Sequence, residues 1–204
     1  MINQKDEAPL AVYTKRFAAL DPDSAAARCG AEFDGGGFCM TLLGFPLRLT
    51  WPEGLIEPSG GAPAALSSNA VRILLLRFVC EGVCAPGTGR FLVYRELPWG
   101  AVYDANFQGR CIKRLAFTFS GKPDGFRRAC LAVGGTELTL PDFSYELDFL
   151  GGLRIRLVLR EGDGEFPPAS QFLFSDNFVT AFTAEDVAVV GDVVINILRE
   201  LAGR

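Results

Sequence analysis

From Ser144 to Arg160 the chain alternates apolar and charged residues on both sides of a glycine pair, and no other stretch restricts the fold as strongly. Tyr145, Leu147 and Phe149 share one face and Glu146 and Asp148 the other. After the glycines, Leu153, Ile155, Leu157 and Leu159 alternate with Arg154, Arg156 and Arg160. A period of two on each side marks two strands with one buried face. A turn of Gly151 and Gly152 alone would set Phe149 opposite Arg154 and mix the faces. A three-residue loop of Leu150, Gly151 and Gly152 sets Phe149 against Leu153, Leu147 against Ile155 and Tyr145 against Leu157, so this register is expected. Asp148 then meets Arg154 and Glu146 meets Arg156. The chain closes on a helix that starts at Thr183, where Thr-Ala-Glu-Asp supplies a hydroxyl cap and a carboxylate three residues on. Val187, Val190, Val194, Ile197, Leu198 and Leu201 fall on one face of that helix. Glu185, Asp192, Asn196, Arg199 and Glu200 fall opposite, the pattern of a docking helix.

Histidine is absent, which removes Ser-His and Cys-His nucleophilic catalysis and imidazole zinc sites. The formal charge of −4 and the lack of a dense basic cluster argue against nucleic acid as a partner. With 49% hydrophobic residues and 17 Phe, the chain carries more apolar material than one core requires, which leaves some for a pocket or a subunit interface. The polar start Met1 to Pro9 lacks the apolar segment of a signal peptide, and the run Ile73 to Leu76 is too short to span a bilayer. A cytoplasmic protein without membrane association is expected. Its six cysteines are then thiols, not disulfides.

In chain order, Pro9 to Leu20 and Ser24 to Cys29 read as short helices. A β-meander follows, formed by Ala31 to Asp34, Phe38 to Leu42 and Pro46 to Trp51. The Gly35-Gly36-Gly37 triplet is a hairpin turn and not a phosphate loop, since no helix follows it. Residues 52–66, rich in Pro, Gly, Ser and Ala, read as a surface loop. Ser68 or Asn69 caps a helix to about Glu81 that is apolar nearly all round, so it is expected at the centre. Cys80 and Cys84 at its end lack the further thiolates of an iron–sulfur site. Arg90 to Leu97 reads as a strand, Pro98-Trp99-Gly100 as a turn, and Tyr103 to Phe117 as a helix whose Arg110, Lys113 and Arg114 form a solvated basic end. Pro123 to Val133 is a helix, and Thr136 to Leu140 a short strand leading into the hairpin.

The run Tyr94-Arg95-Glu96-Leu97-Pro98-Trp99-Gly100 is followed by Tyr103, Phe107 and Arg110. Further on come Glu161-Gly162-Asp163-Gly164-Glu165-Phe166-Pro167-Pro168, Leu173-Phe174 and Thr183-Ala184-Glu185-Asp186. In these stretches, and in Leu20-Asp21-Pro22 with the early meander, the chain resembles domain of unknown function 3786, an uncharacterised bacterial and archaeal family. The resemblance runs from about residue 10 to residue 202 and implies no activity. Some relatives carry an N-terminal four-cysteine iron–sulfur module. This chain starts without one, so a single domain over residues 1–204 is expected.

The expected fold is one α+β domain, a mostly antiparallel sheet built from the N-terminal meander and the C-terminal hairpin, covered by helices, with the closing helix docked on it. A parallel doubly wound sheet is the alternative. No catalytic or cofactor motif is recognisable, and no cofactor is evident. The candidate ligand-binding residues are Arg95, Glu96, Trp99, Tyr103, Asp163 and Glu165, polar and aromatic groups of the two stretches that carry most of the resemblance. Arg95 could clamp an anion, Tyr103 could donate or stack, and a carboxylate could serve as acid or base. The alternative is that Arg95 and Glu96 pair with neighbours and hold a sheet edge. Glu161, Asp163 and Glu165 alternate along their loop, but without the spacing of an EF-hand, so a solvated loop is favoured over a metal site. Three functions fit: a small-molecule or cofactor-binding accessory domain first, then an enzyme using carboxylate acid–base chemistry, then an oligomerisation domain, for instance a homodimer.

Overall fold

The computed structural model describes residues 4–140, 142–163 and 165–203. Helix α1 (Gln4–Ala18) starts before Pro9, which lies inside it. Helix α2 (Pro22–Cys29) is capped by Asp21, whose carboxylate accepts the Ser24 N–H at 2.8 Å. The meander follows as β1 (Glu32–Phe33), β2 (Gly37–Leu42) and β3 (Phe45–Thr50). Residues 52–66 are not all loop. They contain β4 (Ile56–Pro58), a short outer strand where proline is tolerated, and a 3-10 turn, Ala64–Ser67. Helix α3 (Asn69–Glu81) is capped by Ser68 and buries Val71, Leu74, Leu75, Leu76, Phe78 and Val79, as its all-round apolar character demands.

The expected strand Arg90 to Leu97 survives only as β5 (Phe91–Val93). The Glu96 carboxylate accepts the Val93 N–H at 2.9 Å, and this local bond turns Tyr94–Glu96 into a 3-10 turn. The expected helix from Tyr103 begins earlier. It runs without a break through α4 (Gly100–Phe107), a π-helical stretch (Gln108–Lys113) and α5 (Arg114–Phe119). Arg110 and Arg114 do not form a solvated end, because both grip Asp192, Arg114 at 2.9 Å. Helix α6 (Pro123–Ala132), β6 (Thr136–Glu137), β7 (Phe143–Leu150), β8 (Leu153–Arg160), β9 (Ala169–Ser175), a short α7 (Phe178–Ala181) and α8 (Ala184–Ala202) complete the chain.

All strand pairs are antiparallel, in the order β4-β3-β2-β7-β8-β9-β5, with β1 beside β2 and β6 beside β7. The fold is therefore α+β, and the doubly wound alternative does not apply. β2 meets β7 at a single pair, Leu42 with Leu150, next to which the Leu43 N–H donates to the Phe149 carbonyl at 3.0 Å. The hairpin reaches the expected register by a different turn. Leu147 faces Ile155 and Tyr145 faces Leu157, yet Leu150 pairs with Leu153 across a two-residue Gly151-Gly152 turn, and Phe149 is the bulged residue. Both glycines have positive φ, 57° and 84°, as this tight turn requires.

Glu146 takes both arginines of the hairpin face, Arg154 and Arg156, each at 2.8 Å, while Asp148 accepts the Gly152 N–H instead. Burial alone would raise the Glu146 carboxyl, but Arg156 and Arg154 outweigh it and hold it below the ordinary glutamate range. A depressed folded value means stability that is present above the unfolded value, about 4.3, and lost as pH falls through the folded one. Glu146→Gln should therefore flatten the stability loss between about pH 5 and pH 3 in urea unfolding. Parallel wild-type and variant profiles would refute this.

Helix α8 buries Val187, Val190, Val194, Ile197 and Leu198 as its pattern indicated, and also Ala188, Val193 and Ile195. It is enclosed rather than one-faced, because α3, α4, α5 and α6 all pack on it. Gly191 permits the close approach of the π-helical stretch: a Cβ there would lie 2.6 Å from the Cys111 sulfur. All six cysteines are free thiols.

Candidate functional site

The start of α8 lies beside α3 and the turn after β5. Thr183 and Asp186 form the expected cap, with the Thr183 hydroxyl donating to Asp186 Oδ2 at 2.6 Å and the Thr183 N–H to the same oxygen at 3.1 Å. The other carboxylate oxygen, Oδ1, receives Arg77 Nη1 of α3 at 2.8 Å. This pair is deeply placed, with side-chain exposures of 6% for Asp186 and 21% for Arg77. Burial pushes the Asp186 carboxyl up, against the pull of Thr183 and Arg77 in the other direction.

Arg77 is not satisfied. Its Nε–H is buried and finds no hydrogen-bond partner among the described residues. Its guanidinium carbon lies 5.0 Å from the centre of the Tyr13 ring, over which Arg16 also sits, and the Tyr13 hydroxyl donates to Glu81 at 3.2 Å. Leaving a buried donor unpaired costs about 1–3 kcal/mol.

A cavity of about 260 Å³ opens here, lined by Arg77, Glu81, Asp186, Leu97, Pro98, Trp99 and the chain from Val179 to Ala184. Trp99 forms part of its wall while remaining 78% exposed. Its backbone is in the left-handed region, φ 65°, and Gly100 after it fits only because it has no side chain: a Cβ would stand 2.0 Å from the Tyr94 carbonyl oxygen. Tyr94 anchors this turn. Its ring stacks on Phe107 with centroids 4.0 Å apart, and its buried hydroxyl donates to the Ala184 carbonyl at 2.8 Å. The Tyr94 to Gly100 run and the Thr183 to Asp186 run, far apart in the chain, are thus bonded directly and share this cavity.

A second concavity of about 860 Å³ lies over the meander between Glu32, Cys39, Arg48 and Glu57. Its one cation is already matched, since Arg48 is held by Asp34 and Glu57, and burial and the Asp34 charge push the Cys39 thiol up. It offers no unpaired buried group of the kind Arg77 presents.

Of the residues singled out from sequence, Trp99 lines the cavity. Arg95 lines a separate one of about 270 Å³ with Asp104, Gln108 and Gln171, and makes no ion pair among the described residues. Glu96 is the cap of the 3-10 turn. Tyr103 is exposed on α4. Asp163 folds back on its own loop, accepting the N–H groups of Glu165 at 2.9 Å and Phe166 at 2.8 Å, and Glu165 is exposed. Those bonds, Phe166 first, hold the Asp163 carboxyl below the usual range. Among the described residues no group of three or more Cys, Asp or Glu is placed to hold a metal ion. Sequence reasoning missed Arg77 and the second role of Asp186. The one available signal was Arg77 as one of the few polar breaks, with Arg72 and Glu81, in a helix that is apolar nearly all round.

The family model for the domain of unknown function DUF3786 matches residues 21–197. The chain belongs to this family. No curated protein and no solved structure matches the DUF3786 chain. Its matched span includes Arg77, Trp99 and Asp186 and leaves out α1, the turn after it as far as Leu20, and the end of α8 from Leu198. Among the described residues, no helix of this DUF3786 protein is long and apolar enough to cross a membrane.

Proposed function

We propose that the protein is a cytoplasmic small-molecule-binding accessory domain whose ligand occupies the cavity beside Trp99. One observation carries this reading: Arg77, paired with Asp186 and 21% exposed, lines a cavity walled by aromatic and apolar groups. A ligand with a flat apolar body and one carbonyl or carboxylate oxygen meets those groups, the body against Trp99 and Phe182 and the oxygen toward Arg77. The volume is just below the range of about 300–1,000 Å³ usual for drug-sized ligands, which favours a small one. The free thiols agree with a reducing compartment. The net charge of −4 makes nucleic acid an unsuitable partner.

The test is native mass spectrometry followed by thermal unfolding against a set of small aromatic carboxylates and amides. The expected result is a stoichiometric adduct and a stabilisation of about 2.7 kcal/mol at a hundredfold excess over Kd. Trp99→Ala should abolish the stabilisation while leaving the unliganded melting temperature nearly unchanged, because the side chain is exposed. A clean unliganded mass with no stabilisation by any compound would end this reading.

A second reading has its own support. Glu81 and Asp186 line the same cavity, and burial raises the Asp186 carboxyl, so an acid–base enzyme is the alternative. Asp186→Asn separates the two, since it retains ligand stabilisation in a binding domain and removes turnover in an enzyme.

A further inference from the structure

The far end of α8 carries an arrangement that the Trp99 cavity does not explain. A cavity of about 410 Å³ is lined by Lys122, Arg128 and Arg199, drawn from the turn before α6, from α6 itself and from the last turn of α8. Most arginines of the chain are occupied: Arg48, Arg77, Arg110, Arg114, Arg127, Arg154, Arg156 and Arg160 by carboxylates, and Arg28 and Arg72 by backbone carbonyls. Lys122, Arg128 and Arg199 have no partner among the described residues, although the protein is acidic overall. One carboxylate, Asp124, shares the cavity, so its lining carries a net charge of about +2 at neutral pH.

The helix dipole accounts for Arg199 at the negative end of α8. It does not account for the others. Lys122 is the N-cap of α6 and makes no side-chain capping bond, and Arg128 lies one turn beyond Asp124, the one carboxylate of the lining. Asp124 offsets one of the three cations around the cavity and leaves two without a counter-charge. The cavity also has a floor without a side chain. A Cβ on Gly125 would make ordinary contacts with Ala202 Cβ at 3.7 Å, Lys122 Cβ at 3.9 Å and Arg128 Nη2 at 4.0 Å. The Arg128 guanidinium thus lies beside Gly125, one of three glycines in the lining that let a ligand approach the backbone.

We propose that this cavity binds the phosphate group of a small phosphorylated molecule. Asp186 and Arg199 are separated by about 20 Å along α8, at 1.5 Å per residue, so this site is distinct from the Trp99 cavity and stands or falls independently of it.

The experiment is a titration of the full chain with inorganic phosphate, followed by amide chemical shifts at constant ionic strength, with chloride as the control. The expected result is saturable shifts confined to residues 121–128 and 199–203. Arg128→Ala and Arg199→Ala should each weaken binding about tenfold, the effect of losing one charge-assisted hydrogen bond. Gly125→Val, which fills the floor and removes no charge, should abolish it, and Asp124→Asn should strengthen it. Glycerol 3-phosphate and phosphatidic acid vesicles carry the same group. Binding of the first alone assigns a soluble ligand, and binding of the second alone a lipid headgroup. Shifts that do not saturate, or that persist unchanged in Gly125→Val, overturn the proposal.

Discussion

Arg77→Met is expected to lower stability by about 3–5 kcal/mol, the usual cost of removing one member of a buried ion pair. The loss does not come from the missing attraction alone. Asp186 stays behind in a site where burial already raises its carboxyl, and the guanidinium that pulled it down is gone. A carboxyl raised above its unfolded value makes the folded state pay for ionisation. The penalty begins as pH climbs past the ordinary carboxylate range and is complete above the folded value. The variant should therefore be weaker at about pH 8 than at about pH 5, relative to wild type, in guanidinium unfolding. Adding Asp186→Asn should restore much of the loss, because the amide oxygen can still accept from Thr183 without carrying charge. A deficit under about 1 kcal/mol at both pH values would mean that the pair is hydrated rather than buried.

Phe107→Ala should cost about as much, roughly 3–5 kcal/mol, for an unrelated reason. Phe107 lies face to face with Tyr94 and edge-on to Phe172 and Phe174, at 5.9 and 6.0 Å between centroids. Its removal opens a hole bounded by three large rings that cannot collapse without moving β9 or the turn before α4. Phe117→Ala serves as the control, since Phe117 is 63% exposed and should change stability by under about 0.5 kcal/mol. Equal losses in the two variants would contradict the packing described. The Phe107 variant should also loosen the Tyr94 ring, and with it the bond to Ala184 that joins the two halves of the Trp99 cavity wall.

The fold was legible wherever the pattern and the tertiary environment agreed. In the hairpin, period-two alternation specified the register from Tyr145 to Asp148 because every alternative exposed a leucine. The turn itself was not legible. Leu150, taken as a loop residue, is buried and paired with Leu153, and the adjacent apolar pair Phe149-Leu150 is the trace that a bulge leaves in a sequence. Arg90 to Leu97 holds a run of strand-favouring residues, Phe91 to Tyr94. Glu96 ends it by reaching back to Val93, a bond that no periodicity reveals. At the site, the capping role of Asp186 could be read from Thr183 because it is local. Its pairing with Arg77 could not, since each residue taken alone has a sufficient local explanation, a cap in one case and a break in an apolar helix in the other. Trp99 was legible as a turn aromatic, but the cavity beside it depends on three segments that only the fold assembles.

The single backbone contact between β2 and β7 divides the molecule for solvent. On either side of Leu42 and Leu150 the ladders are long, and across the junction the Leu43 N–H bond to the Phe149 carbonyl and packed side chains bind the meander to the C-terminal strands. Amide protons of Gly37 to Thr50 can therefore exchange through an opening that separates the meander from the rest without unzipping β7, β8 and β9. The two ladders should form separate tiers of protection, with the shallower tier in the meander. The α8 cap, the Tyr94 anchor and the Trp99 cavity lie outside the meander, so this protein can lose its N-terminal ladder for moments at a time while that cavity keeps its walls.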